Sequence, residues 1–334
     1  MSVVDRVFGG VNLSEDITLL ILDNLVWPIL VLTFLAFSVF LPESFMTVGN
    51  IRFLLLSSAA IGMLALGESV CLLSGHFDLS IGSIAGFSAM FTALFLSQWF
   101  PGVPGVIGIP VIILVGGTIG LMNGVSVAYF DVNPFLQTLA FLIIFRGATI
   151  AASTYPVTDL PDSYMYVGGG ELVAGIPVAV VILVSLFALV AFFLKYREFG
   201  LSVYAVGGNE RASRESGINA KRVVLSVYVI SGMLSGLGGL LYTGFLGAAT
   251  PSLGDGQMFP AFAAAVIGGI SIFGGRGNIL GALGGVLLLG TIQAGLVMLE
   301  VQPTLIRMTN GTILLAAIFL YTAVEKYRKA VLQI

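Results

Sequence analysis

The chain has 334 residues, 57% of them hydrophobic and 9% charged, with a formal net charge of −3, and its mean hydropathy is +1.06. Soluble domains carry about 25% Asp, Glu, Lys and Arg, so this composition excludes a soluble enzyme, a nucleic-acid binder and a secreted disulfide scaffold. Ten spans of about 20 residues would use roughly 200 residues, close to the apolar share here, and the expected fold class is an all-α polytopic membrane protein.

In chain order, residues 1–24 carry Asp5, Arg6, Glu15, Asp16 and Asp23 without an uninterrupted apolar core, and read as a cytoplasmic or interfacial segment. Apolar runs follow at 25–41, 51–73, 80–98, 105–130, 134–154, 175–194, 223–247, 259–274, 279–299 and 304–324. They predict ten spans, so that 25–324 is a transmembrane domain and 325–334 a cytoplasmic tail. The run 259–274 is short and 105–130 is long and glycine-broken; both are candidates for re-entrant helices. The 43 glycines include Gly116/Gly120/Gly124, Gly232/Gly236 and Gly281/Gly285, a spacing that lets helix backbones approach closely. Tight packing within the bundle is the reading here, ahead of a dimer motif.

The basic residues set the orientation. With both termini inside, the inner side holds Arg6, a loop 195–222 with Lys195, Arg197, Arg211, Arg214, Lys221 and Arg222, then Arg276, Lys326, Arg328 and Lys329. The outer loops receive Glu43, Asp159, Asp162, Glu171, Asp255 and Glu300. Arg52 and Arg307 lie near outer span ends as interface anchors.

Polar groups within spans are the candidates for function, because they are costly in a bilayer. Glu68 is the one carboxylate well inside a predicted span. It either lines a hydrophilic pathway or bonds a neighbouring helix. Arg146 is similar, but its long stem can snorkel outward. Asn123, Gln137, Thr138, Gln293, Thr309 and Asn310 are neutral and suit a polar, uncharged solute as a set, although each could equally bond across helices. The pathway candidates are thus Glu68, Asn123, Gln137, Arg146, Gln293 and Asn310. His76 and Asp78 fall in a short connection, where Asp78 is expected to cap the helix opening at Ser80. Metal sites are not expected, since there is one histidine and one cysteine, Cys71. No P-loop occurs, and without a Gly-x-Ser-x-Gly motif a serine hydrolase is a weak reading. Catalytic residues and cofactors are not expected.

The most informative polar stretch runs from Tyr204 to Ile218. Asn209 is placed to cap a helix and Gly217 to stop it, which gives a short charged helix, either a docking element for a soluble partner or an ordinary polar loop. Arg211 and Arg214 would be neighbours at i, i+3, an arrangement easier to understand if an acidic partner surface receives them.

Four stretches together resemble the permease subunits of ribose-type ATP-binding-cassette sugar importers, over roughly residues 50–325. They are Asp78-Leu79-Ser80-Ile81-Gly82-Ser83; Asn133-Pro134-Phe135-Leu136-Gln137-Thr138-Leu139 with Arg146-Gly147; Tyr204-Ala205-Val206-Gly207-Gly208-Asn209-Glu210 through Ser216-Gly217-Ile218; and Ala264-Ala265-Val266-Ile267-Gly268-Gly269 with Gly274-Gly275-Arg276-Gly277. The resemblance implies a multi-pass cell-membrane subunit that pairs with a second permease chain and two cytoplasmic ATP-binding subunits. An extracytoplasmic sugar-binding protein would deliver a pentose or hexose. By the same likeness, Gly207, Gly208, Asn209, Glu210, Arg211, Ala212, Arg214 and Gly217 form the loop that couples to the ATPase. The chain departs from the pattern at His76-Phe77, where Gly-Ile is usual, and at Pro260. The alternatives are a permease of the same architecture for a nucleoside, a branched-chain amino acid or a signalling furanose, and a proton-coupled secondary transporter using Glu68.

Overall fold

A computed structural model describes residues 24–172 and 175–332, and the expected N-terminal segment therefore lies, but for Asn24, outside the described residues. The described residues are helical, with two isolated bridges, Val157 to Ala249 and Glu171 to Pro177. In order they form α1 (Val26–Phe40), α2 (Val48–Leu73), α3 (Ile81–Leu94, extended by a π-helical turn Phe95–Trp99), α4 (Gly108–Phe130), α5 (Pro134–Ala152), α6 (Asp162–Gly169), α7 (Val178–Tyr196), α8 (Glu198–Gly208), α9 (Glu210–Glu215), α10 (Ala220–Leu246), α11 (Met258–Ile267), α12 (Ile279–Met298) and α13 (Pro303–Leu332).

Each of the ten apolar runs contains a helix, and eight of these helices are long and apolar enough to cross a membrane. The other two are α1, with 15 residues, and α11, with 10. At 1.5 Å per residue they reach only about 22 and 15 Å, short of a hydrocarbon core of about 30 Å. The expected ten spans are therefore eight long helices and two short ones. The second short helix matches the half-spanning alternative: Gly268 and Gly269 end it, and residues 268–278 continue as turns. The other re-entrant candidate is corrected. Residues 108–130 form one continuous helix, because its glycines serve packing rather than interruption. Helix α13 also continues to Leu332, through most of the stretch read as a separate tail.

Helix α10 is the hub, packed against α4, α2 and α3. A Cβ added at Gly116 would lie 2.3 Å from the Gly232 carbonyl oxygen, and one at Gly120 would lie 2.2 Å from that of Tyr228. Gly281 and Gly285 meet the Gly268 and Ala264 carbonyls in the same way, at 2.0 Å each. Backbone contact of this kind replaces the hydrophobic drive that lipid does not supply. Around this core, α5 and α13 leave broad apolar faces exposed, among them Leu136, Ile143, Ile144, Leu315 and Phe319.

The loops sort into two ends. At one, Val157 pairs with Ala249, Arg146 with Asp255 at 2.5 Å, and Arg52 with Glu171. The predicted outer loops that carry Asp159, Asp162, Glu171 and Asp255 thus share an end. At the other end, Gly75, Gly207, Gly208, Gly274 and Gly275 come into contact.

Candidate functional site

Residues 74–80 interrupt the helical path between α2 and α3, and their polar groups are carried into the packed interior. Asp78 is fully buried, as is Glu68 to within 1%. Oδ1 of Asp78 accepts the Ser80 amide at 3.0 Å and the Ser80 hydroxyl at 2.5 Å, and Oδ2 accepts the Ser231 hydroxyl at 3.1 Å. The Asp78 amide donates to Oε2 of Glu68 at 3.3 Å. The Ser80 hydroxyl has given its single proton to Asp78, so Asn123 must donate to it through Nδ2, at 2.9 Å. Tyr228 adds a fourth attachment by donating its hydroxyl to the Phe77 carbonyl at 2.8 Å. The segment is therefore held from α2, α4 and α10 at once. Oε1 of Glu68, Oδ1 of Asn123 and the Ser235 hydroxyl are buried without a protein partner. Such groups are found where water or an ion is held, or where strain serves function.

This arrangement revises one expectation. Asp78 reaches the amide of Ser80, the residue before α3, rather than the first turn of that helix. Asp78, between two predicted spans, joins Glu68 as a second buried carboxylate. Hydropathy assigns Asp78 to a connection, which gives a cap but not its burial, and the one signal for it is the Asp-Leu-Ser sequence just before a helix start. Ser231, one hydroxyl in an apolar helix, carried no signal of its own.

Of the six pathway candidates, the structure brings Glu68 and Asn123 to one cluster. Arg146 sits at the opposite end, where Nη2 pairs with Asp255 and Nη1 donates to the Pro251 carbonyl, tying α5 to the loop 247–257. Burial pushes the Asp255 carboxyl up, while the Arg146 charge pulls it down. Gln137, Gln293 and Asn310 are half-buried on α5, α12 and α13. Helix α5 packs chiefly against α3 and α4, whereas α12 packs against α1, α2 and α11, so these amides do not converge within one chain.

The polar stretch 204–218 forms the end of α8, the whole of α9 and a stop. Oδ1 of Asn209 accepts the Ala212 amide at 3.0 Å, and Gly217 ends the segment with φ +87°. Both expectations hold. The argument from like charges does not. Arg211 pairs with Glu215 at 3.2 Å and Arg214 with Glu210, each one turn along the same helix. The two arginines are thus compensated inside α9 and need no acidic partner to explain them.

A cleft of about 200 Å³ lies beside α9, lined by His76, Asp131, Asn133, Glu210, Arg214 and Lys221 among others. His76 donates through Nδ1 to the Ser74 carbonyl at 2.8 Å. Burial pushes its imidazole below the ordinary range, opposed by that hydrogen bond and by the Glu210 charge.

A scan against family models matches residues 50–320 to the family described as "Branched-chain amino acid transport system / permease component". The chain is 37% identical over 288 residues to the D-allose transport system permease protein AlsC of Escherichia coli, covering 85% of this chain and 87% of that one. It is 36% identical to the ribose import permease protein RbsC of Bacillus subtilis, covering 84% and 87%. It is 31% identical to the L-arabinose ABC transporter permease protein AraH of Azospirillum brasilense, covering 89% and 85%. No solved structure matches the chain.

Proposed function

The chain belongs to the family of membrane permease components just described, and on that premise we propose that it carries a monosaccharide, a pentose or hexose, into the cytoplasm as the membrane subunit of an ATP-binding-cassette importer. The observation that carries this reading is that relatives named for allose, ribose and arabinose each match more than four-fifths of the chain. In this reading ATP is hydrolysed by a separate cytoplasmic subunit, and the permease has no catalytic site of its own. Both termini and α9 lie on the cytoplasmic side of the cell membrane, in keeping with the basic residues around α9. Helix α9, presented by Gly207 and Gly208, docks against the ATP-binding subunit. A second permease chain closes the pathway, which accounts for Gln137, Gln293 and Asn310 standing half-exposed on separate helices. An extracytoplasmic binding protein delivers the sugar to the end formed by the acidic loops.

Affinity purification of the chain followed by mass spectrometry should recover an ATP-binding subunit and a sugar-binding protein. Uptake by the reconstituted complex should be competed by free monosaccharides and not by branched-chain amino acids. The reverse competition would overturn the sugar assignment. Uptake should also proceed in vesicles given ATP and no proton gradient, and should do so in Glu68→Gln as well. A gradient requirement would instead make Glu68 a coupling acid.

A further inference from the structure

We propose that Gly207 is a positioning residue, the joint through which displacement of α9 reaches the buried Asp78 segment. This rests on the reading above, in which α9 meets an ATP-binding subunit. Gly207 lies three residues before α9. A Cβ at that position would stand 1.9 Å from the Leu73 carbonyl oxygen and 2.6 Å from the Gly275 amide nitrogen. Leu73 is the last residue of α2, and its carbonyl accepts the Gly275 amide at 2.9 Å. One turn earlier on α8, the Tyr204 hydroxyl donates to the Gly277 carbonyl at 3.0 Å, fastening α8 to the same turn. Beyond Leu73 the chain passes Gly75, where a Cβ would lie 3.5 Å from the Gly207 Cα, and then enters His76, Phe77 and Asp78.

The route from α9 to the carboxyl cluster thus passes among Gly207, Leu73, Gly75 and Gly275 through main chain, with the Tyr204 side chain bracing it. Side chains in a contact can absorb a shift by changing rotamer, whereas backbone packed on backbone moves as a body. The Asp78 segment is the polar element this joint reaches, and Glu68 and Asn123 each hold an oxygen there with no partner among the described residues. A movable element biased from both of its ends is the physical requirement for coupling between two sites. At Gly208 an added Cβ meets nothing within 4 Å, although its backbone also packs against Gly275; Ser202, also on α8, spends its hydroxyl on the Glu198 carbonyl of its own helix and supplies the control.

The test compares Gly207→Ala, Ser202→Ala and Tyr204→Phe in vesicles holding this chain, its ATP-binding subunit and its binding protein, with ribose, allose and arabinose as probes. The readouts are co-purified ATP-binding subunit, the ratio of stimulated to unstimulated ATP hydrolysis, and uptake. Gly207→Ala should still recover the ATP-binding subunit while the stimulation ratio and uptake fall by about tenfold, within the usual span of coupling effects. Ser202→Ala should keep most of the ratio, and Tyr204→Phe should fall between them. A Gly207→Ala chain with full stimulation, or a Ser202→Ala chain equally impaired, overturns the proposal. Should Gly207→Ala fail to accumulate, Tyr204→Phe decides, and undiminished coupling in that variant overturns the joint. A wild-type chain that recruits no ATP-binding subunit overturns the functional reading itself.

Discussion

The hydroxyl of Ser231, midway along α10, donates to Oδ2 of Asp78 across 3.1 Å, joining residues 153 positions apart. Asp78 is a fully buried carboxylate with three donors, and Ser231 is the donor contributed by another helix. Ser231→Ala should therefore destabilise the chain by about 1–3 kcal/mol, the cost of leaving a buried acceptor short of a partner. Thermal unfolding in detergent measures it, with Thr118→Ala as the control, whose exposed hydroxyl bonds only the Leu114 carbonyl of its own helix. Equal melting of the two variants would mean that the Ser231 contact holds nothing.

Helix α4 meets α10 through Gly116, where a methyl group would be driven to 2.3 Å from a backbone oxygen. Neither helix can yield by moving a side chain. Gly116→Ala should lower stability by about 1–3 kcal/mol, as overpacking does. Gly147→Ala, on the exposed helix α5 with open space at the Cβ position, should be neutral or slightly stabilising. A neutral Gly116→Ala would show that the two helices are not in close contact in the membrane.

The two ends of the molecule should face opposite sides of the membrane. Ser213 would be a poor probe, being only 5% exposed, whereas the Arg211 side chain is 91% exposed. In a Cys71→Ala background, Asp162→Cys should react with an impermeant thiol reagent in intact cells, and Arg211→Cys only after the membrane is opened. Labelling of both in intact cells would refute the topology.

On α9, reversing both arginines would place four acidic residues on six positions and disrupt the helix before testing any partner. Exchanging Arg211 and Glu215, as Arg211→Glu with Glu215→Arg, keeps the internal pair. Surface pairs of this kind contribute little, about 0.3–0.5 kcal/mol, so recovery of the ATP-binding subunit should stay within about twofold of wild type. A large loss, relieved at neither low nor high salt, would show that the partner reads the position of Arg211 itself.

What the sequence by itself determined is whatever follows from local composition. Long apolar runs must be helical in lipid, because no water is present there to satisfy the backbone. Asn209 and Gly217 announced the two ends of α9 because a cap and a left-handed stop act within a few residues of themselves. The tertiary structure decided everything that depends on which segments meet. The glycines of 105–130 read as breaks until α10 was laid against them. Arg146 gave no sign of its partner until Asp255, more than 100 residues later, came beside it. Arg211 and Arg214 were local enough to be read, yet the pairing with Glu215 and Glu210 depends on rotamers that spacing alone does not choose. Asp78 looked like a loop residue because hydropathy averages over a window and cannot see that helices α2, α4 and α10 close around one turn. Burial of that carboxyl is a property of the bundle, set by donors from distant positions, and no neighbouring residue in the chain carries it.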